Sequence, residues 1–367
     1  MKKYIISFLI ALSLPMAMTA QKISLGTCAT HDNGIYQGEM SGGKPHGKGT
    51  TLFESGNTYE GEYLKGKRQG YGIYTFTDGE KYEGDWFQDQ QHGRGTYYFA
   101  NNNKYVGMWF RDYQQGHGVM YYYNGDKYDG MWFEDQRHGK GRYTFSGGAF
   151  YDGNWQNDKK NGQGHFDWGD GTIYEGQWKD NLRHGKGMYI YANGDRYSGD
   201  WVNDLQEGKG ICKFRNGDLY EGGYKAGERS GQGVLKYANG DRYTGSFANG
   251  EKSGQGTLYW ANGDSYVGRW KNDKQHGQGK LKKKIGDVYE GNFKDGNVDG
   301  EVVIHFADGA KFKGIYKNGT AVTEDKDGNR FEGSFVDDER DGDFVEKDRN
   351  GKILRKGYYE RGRRFEE

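Results

Sequence analysis

Histidine is the residue whose type and spacing in this chain most suggest a site for chemistry. Five of the 9 histidines recur at intervals of 46 or 92 residues, and glycine follows each of them. They are His46, His92, His138, His184 and His276. A neutral imidazole is a common metal ligand and can act as a general base near neutral pH. A regularly repeated histidine therefore predicts either a repeated reactive group or one position of a repeated structural unit.

A fixed period of 23 residues favours the structural unit. Thirteen units begin with an aromatic residue, at positions 36, 59, 82, 105, 128, 151, 174, 197, 220, 243, 266, 289 and 312. If that residue is position 0, position 2 is glycine, position 4 is mostly tryptophan, and glycines return at positions 11 and 13. The repeat residues that we single out as structural are Tyr82, Gly84, Trp86, Gly93, Gly95, Tyr128, Gly130, Trp132, Tyr174, Gly176 and Trp178.

The alternation of side chains within a unit predicts two antiparallel strands. Positions 0, 2 and 4 share one face of a strand, and positions 15 and 17 give a second strand its own aromatic face. Pairs such as Asn124-Gly125 predict a two-residue type I′ turn between units. The polar stretch from position 4 to position 11 predicts a longer loop that carries His92, after which Gly93 and Gly95 open the next strand.

These strands predict an all-β fold, an elongated, twisted, single-layer antiparallel β-meander of hairpin repeats. Neighbouring strands lie about 4.8 Å apart, so thirteen units of two strands predict a body on the order of 125 Å long. The expected organisation is a signal peptide at 1–20, an N-terminal flank at 21–35, thirteen repeats over 36–330, and degenerate repeats or a cap at 331–367.

The same geometry argues against a metal site built from the histidines. Successive histidines lie two units apart, roughly 19 Å, whereas a zinc ligand lies about 2 Å from the ion. We interpret the histidine as a loop residue that forms a hydrogen bond or packs on a ring. Repeated carboxylates such as Asp126 are typical of turns, and no hydrolase, metalloprotease or phosphate-loop motif occurs. We therefore expect no enzyme activity, no catalytic residue, no metal and no cofactor.

The two cysteines are expected not to pair with each other. Cys28 and Cys212 lie eight units apart, roughly 77 Å along the sheet, whereas a disulfide needs Cα atoms within about 7 Å. Cys212 stands at position 15, which predicts a buried small apolar residue. Cys28 precedes the repeats and is expected to be a free or intermolecular thiol.

The first residues predict export. Lys2 and Lys3 precede an apolar stretch, and Ala20-Gln21 is the expected cleavage point of a secretory signal peptide. The mature chain would then be periplasmic, on the cell surface or extracellular. Lipid attachment at Cys28 is disfavoured because this residue lies too far beyond the apolar stretch. The formal charge of zero, without a basic stripe, argues against nucleic acid as a partner.

The pattern YxGxW, a polar loop, HGxG and NGD, at period 23, resembles the MORN (membrane occupation and recognition nexus) repeat of bacterial secreted proteins. The resemblance covers residues 34 to about 340. It implies a non-enzymatic scaffold of the cell envelope, with an extended surface for an unknown protein partner or for self-association. The alternative partner is a membrane lipid or an envelope polysaccharide, bound through exposed aromatic residues.

Overall fold

The computed structural model describes residues 22–315, 319–336 and 339–366, and every regular element in these ranges is a β-strand. The predicted signal peptide and its cleavage point, Ala20 and Gln21, lie outside the described residues. The chain divides into two compact parts, Met1–Ser146 and Gly147–Glu367, which we call the first unit and the second unit; the 23-residue hairpins are called repeats.

The first unit contains eleven strands, and each pairs antiparallel with the next one along the chain. They are β1 (Ser24–Ala29), β2 (Gly34–Ser41), β3 (Lys44–Phe53), β4 (Thr58–Leu64), β5 (Lys67–Thr75), β6 (Lys81–Phe87), β7 (Gln90–Tyr98), β8 (Lys104–Phe110), β9 (Tyr113–Tyr121), β10 (Lys127–Phe133) and β11 (Gln136–Thr144). β1 fills the predicted N-terminal flank, where Cys28 lies opposite Tyr36.

The second unit follows the same antiparallel order from strand to strand. Its strands are β12 (Phe150–Gln156), β13 (Lys159–Asp167), β14 (Ile173–Lys179), β15 (Leu182–Ile190), β16 (Arg196–Val202), β17 (Leu205–Lys213), β18 (Leu219–Lys225), β19 (Glu228–Lys236), β20 (Arg242–Ala248), β21 (Glu251–Tyr259), β22 (Ser265–Lys271), β23 (Lys274–Lys282), β24 (Val288–Lys294), β25 (Asn297–His305), β26 (Lys311–Ile315), β27 (Gly319–Glu324), β28 (Arg330–Val336), β29 (Glu339–Lys347), β30 (Ile353–Glu360) and β31 (Arg363–Glu366). Both units confirm the predicted all-β antiparallel meander of 23-residue hairpin repeats.

The two kinds of turn are exchanged relative to the prediction. Gln88 and Asp89 both have positive φ, 50° and 72°, and connect β6 directly to β7. Positive φ at both central residues is the mark of a type I′ turn, so the predicted longer loop is in fact the tight hairpin. In the Asn124-Gly125 turn only Gly125 has positive φ, at 88°, and its N–H donates to Tyr122 O at 3.0 Å. That connection is a longer turn ending in a left-handed glycine, and the predicted two-residue turn there was wrong.

A β-bulge within each hairpin brings the glycines into place. Gly84 pairs with Gly95 and Trp86 with Gln91, so three residues of β7 oppose Asp85 alone. His92 therefore lies within β7 and is not a loop residue, which corrects the prediction. The strand also begins at Gln90, before Gly93 and Gly95. A bulge inserts residues while keeping the pairing on both sides, and this is invisible in a simple alternation pattern.

The strands have two distinct faces. The side chains of positions 0, 4, 9 and 15 lie on one side with the glycines of positions 2 and 13, and we call this side the aromatic face. Positions 1, 3, 5, 10, 12 and 14 lie on the other side, which we call the open face. Both cysteines are free, and Cys212 is buried on the aromatic face opposite Tyr197 and Tyr220, as predicted.

Candidate binding surface

On the aromatic face, tyrosine rings at position 0 cover the paired glycines. Tyr82 is completely buried, and its hydroxyl donates to Asp85 O at 2.8 Å. Its ring covers the Gly84–Gly95 pair, where a Cβ on either glycine would overlap the ring or its hydroxyl. Burial raises the pKa of the Tyr82 phenol well above its ordinary value. The glycines therefore allow one large ring to lie flat on the sheet.

Tryptophans link one covered glycine pair to the next. The Trp86 ring stands edge-on to Tyr82 and to Tyr59, with centroids 5.3 and 5.2 Å apart, and its Nε1 donates to Gly72 O at 3.2 Å. The other predicted repeat residues occupy the same places. Tyr128, Trp132, Tyr174 and Trp178 are buried, and Gly130 and Gly176 lie beneath the tyrosine rings. The predicted tyrosines and tryptophans thus form the core of each repeat, whereas Gly93 lies in the bulge with φ of 60°.

Long side chains at position 9 cover the rings. Lys160 places its Nζ 4.2 Å from the Trp178 centroid and 4.7 Å from that of Phe166. Burial lowers the pKa of the Lys160 ammonium to about 8. Arg183 stacks in the same way over Trp201, at 4.6 Å. Cations at position 9 therefore cover the buried rings of positions 0 and 4, whereas at position 17 Phe145 and Trp168 remain 36% exposed.

The histidines do not form a reactive cluster. His92 packs between Phe87 and Phe110 on the open face, with ring centroids 5.5 and 5.2 Å away. Its Nδ1 is buried, as are those of His46, His138, His184 and His276, and none has a hydrogen-bond partner among the described residues. Within the same ranges no group of three or more His, Cys, Asp or Glu side chains could hold a metal ion.

An apolar patch lies on the open face of the first unit, where Leu64, Tyr71 and Phe87 are also exposed. Its six side chains are between 38% and 49% exposed. We call them the apolar patch: Val106, Met108, Phe110, Tyr113, Met131 and Phe133. At the corresponding positions the repeat starting at 174 carries Glu175, Gln177, Lys179 and Leu182. The fold therefore accepts polar side chains at positions 1, 3 and 5, and methionine at position 3 is what distinguishes the repeats that start at 105 and 128.

A groove crosses the strands beside the patch. It has a volume of about 610 Å³, is floored by Gly84, Gly95 and Gly107, and has Val106 and Met108 in its walls. The second unit has a groove of about 890 Å³ on its own open face. The second groove has Ile211 and Val234 in its walls beside polar residues such as Lys209 and Glu221. Both grooves therefore have apolar side chains in their walls, and the first one adjoins the apolar patch.

Methionine at position 3 cannot accept the backbone hydrogen bond that position 3 accepts in other repeats. Asp85 accepts a hydrogen bond at 2.9 Å from the backbone N–H of Arg94, inside the bulge. Glu39, Gln177 and Asp200 do the same for position 12 of their own repeats, at 2.9, 3.2 and 3.1 Å. Met108 and Met131 offer no oxygen for this role. These two repeats therefore expose an apolar side chain where the fold elsewhere uses an acceptor.

Comparison with family models identifies the repeat. The model for the MORN repeat matches residues 36–58, 59–81, 82–104, 105–127, 128–150, 151–173, 174–196, 197–219, 220–242, 243–265, 266–288 and 289–311. The chain belongs to the MORN repeat family. Each matched MORN repeat begins at a tyrosine of the aromatic face and ends before the next one, so the family period and the hairpin period coincide.

Other comparisons add only distant likenesses. No curated protein matches the chain. The TCP domain of Drosophila melanogaster SAS-4, solved with a proline-rich motif, is 16% identical over 46% of this chain and 86% of that one, with a TM-score of 0.29. The TCP10 domain of Danio rerio CPAP, solved with a STIL peptide, is 13% identical over 72% and 97%, with a TM-score of 0.27. Scores this low do not establish a common fold. Within the described residues no helix is long and apolar enough to cross a membrane.

The apolar patch was not predicted from the sequence. The residues that the MORN repeats share form the core, so the shared pattern does not reveal this surface. The signal lay at the variable positions, where VGMWF in the repeat at 105 replaces EGDWF in the repeat at 82. Comparing repeats at positions 1, 3 and 5 would have found it.

Proposed function

We propose that this MORN-repeat protein is a non-enzymatic scaffold that binds a protein partner through the apolar patch. The observation that carries the proposal is that six large apolar side chains are exposed together, with Val106, Met108 and Met131 at positions 1 and 3, where most other repeats are polar. Contiguous exposed apolar surface is a mark of interaction sites, and methionine and aromatic residues are enriched at protein interfaces. In this proposal the aromatic face forms the packed core of the repeats and the open face carries the binding.

Two methionine substitutions test the proposal. In the double variant Met108→Asp, Met131→Asp, each new carboxylate can accept a hydrogen bond from a backbone N–H inside the bulge, as Asp85 and Asp200 do. We expect the free energy of unfolding to stay equal or to rise by about 1 kcal/mol, while partner capture from native-cell extract is lost. Asp200→Met, the reverse change in the second unit, is the matched control and should leave capture intact. Capture that survives the double substitution would refute the proposal.

We further propose that the scaffold acts after export, in the cell envelope. The predicted signal peptide supports this location, and fractionation of cells that produce the full-length chain tests it. Recovery with the cytoplasmic fraction, with no shortened form, would argue against it.

The alternative ligand is a membrane lipid or an envelope polysaccharide. Phe87, Phe110 and Phe133 favour it, since they are half exposed in consecutive repeats and sugars and acyl chains both pack on such rings. Sedimentation with lipid vesicles and with insoluble polysaccharide separates the candidates. Retention on either that is lost in Met108→Asp, Met131→Asp would favour this alternative over a protein partner.

A further inference from the structure

A single row of side chains crosses the apolar patch perpendicular to the strands. It contains Arg94, Met108, His117, Met131 and Lys140, one from each strand from β7 to β11. Arg94 lies opposite Met108, and His117 lies opposite Met131. Four strand spacings separate the two ends, or about 19 Å, and the methionines are about 9.6 Å apart. The row thus has a methionine on each side of His117 and a cation at each end.

The acidic groups around this row are already engaged, whereas the cations are not. Asp129 pairs with His117 and with Lys127, each at 3.0 Å, and Glu83 pairs with Lys81. Asp85 binds the backbone N–H of Arg94. Arg94 and Lys140 are exposed, and within the described part of the chain their side chains make no ion pair. Arg94 and Lys140 are therefore free to pair with carboxylates of a ligand, and the charge of Asp85 remains beside Arg94 because a backbone N–H does not neutralise it.

The spacing of the row restricts the shape of what can lie on it. Neighbouring rows of the open face are two residues apart along the strands, about 6.6 Å. An α-helix is about 10–12 Å wide and would cover more than one row, so we expect an extended chain on a single row. A polyproline II chain rises about 3.1 Å per residue and returns to the same face every third residue, about 9.3 Å. That distance matches the separation of the two methionines. The 19 Å between the end cations corresponds to about six residues.

We propose that the row binds one acidic, apolar peptide segment in an extended conformation. Apolar side chains three residues apart pack on Met108 and Met131. Carboxylates about six residues apart pair with Arg94 and Lys140. This inference rests on the proposed function and adds the chemistry of the partner. The cations Arg94 and Lys140 complement an acidic segment.

A designed peptide tests the inference directly. The probe is the fluorescein-labelled peptide Glu-Pro-Leu-Ala-Pro-Leu-Glu, and its counterpart has lysine at both ends. Fluorescence anisotropy with the full chain should show binding of the acidic peptide, and the basic peptide should bind on the order of tenfold more weakly. Raising the salt concentration should reduce this preference, since exposed ion pairs are screened.

Charge reversal provides the decisive comparison. The double variant Arg94→Glu, Lys140→Glu should reverse the preference for the acidic peptide, so that the lysine-ended peptide binds better. Lys209→Glu changes the corresponding position of another repeat and should leave the preference unchanged. Equal binding of the two peptides, absence of binding, or a preference that does not reverse would each overturn the inference.

The outcomes also separate this inference from the proposed function. If Met108→Asp, Met131→Asp abolishes partner capture but the peptide preference does not reverse, the patch binds a protein of different chemistry and only the inference fails. If capture survives that double substitution, the proposed function itself fails. A dimer in sedimentation velocity that becomes monomeric in the double variant would make a second copy the occupant and overturn the inference.

Discussion

At the scale of single residues, the glycines are required because of what covers them. A Cβ on Gly95 would overlap the Tyr82 ring, which is fully buried and has no room to move. Gly95→Ala should therefore lower the free energy of unfolding by about 1–3 kcal/mol. Gly147 is the matched control, since no atom lies within 4 Å of its ideal Cβ and its φ is not positive. Chemical denaturation checks both variants, and equal stabilities would contradict the packing account.

The buried lysine gives one repeat a pH-dependent stability. Burial lowers the pKa of Lys160 from its ordinary 10.5 to about 8, so between these values the unfolded chain binds more protons than the folded one. The stability contributed by this site therefore rises with pH across that window, and the cost of burying the charge is present in full below pH 8. Lys160→Gln removes the titration and uses a residue that is buried at the same position as Gln91 and Gln114.

Thermal melts of the two proteins test this effect. Tyrosine titration is common to both and cancels in the difference. We expect the Tm of the wild-type chain to rise relative to that of Lys160→Gln as the pH increases from 8 to 10.5. Melting temperatures that run parallel across this range would show that Lys160 is not desolvated.

At the scale of elements, the strands were predictable from the sequence and the turns were not. Alternating Tyr82, Gly84 and Trp86 identify a strand because side chains alternate along it. The turns were predicted wrongly because Asn-Gly is the usual signal of a type I′ hairpin, yet here only the glycine adopts positive φ. The true type I′ turns use pairs such as Gln88-Asp89, which carry no such signal. Tertiary pairing imposes the conformation there.

One turn residue can accordingly be improved. Ala226 has φ of 51°, in the left-handed region that costs a non-glycine residue about 1–2 kcal/mol. Asparagine tolerates this region and occupies the same turn position at Asn203 and Asn249. Ala226→Asn should raise the free energy of unfolding by up to about 1 kcal/mol in urea denaturation. Ala248→Asn, in a strand, should give no gain, and an unchanged Ala226→Asn would contradict the turn assignment.

At the scale of the whole molecule, the shared positions specify the fold and the variable positions specify the function. The 23-residue period predicted the hairpin repeats because a tyrosine ring covers a glycine pair in most of them, with Val302 replacing one glycine in the repeat that starts at 289. The apolar patch could not be predicted from those shared residues, since position 3 is Asp85 in one repeat and Met108 in the next without any change of fold. The bulge that aligns these rows depends on backbone pairing, which alternation alone does not reveal.

The central claim is that the apolar patch of the first unit contacts a protein partner. Site-specific photo-crosslinking in the native cell tests it most directly, with a benzophenone amino acid in place of Phe110. Lys225, at the same repeat position in the second unit, serves as the control site. We predict a discrete crosslinked protein from position 110 and none from position 225. Absence of an adduct at position 110, or the same adducts at both positions, would contradict the claim.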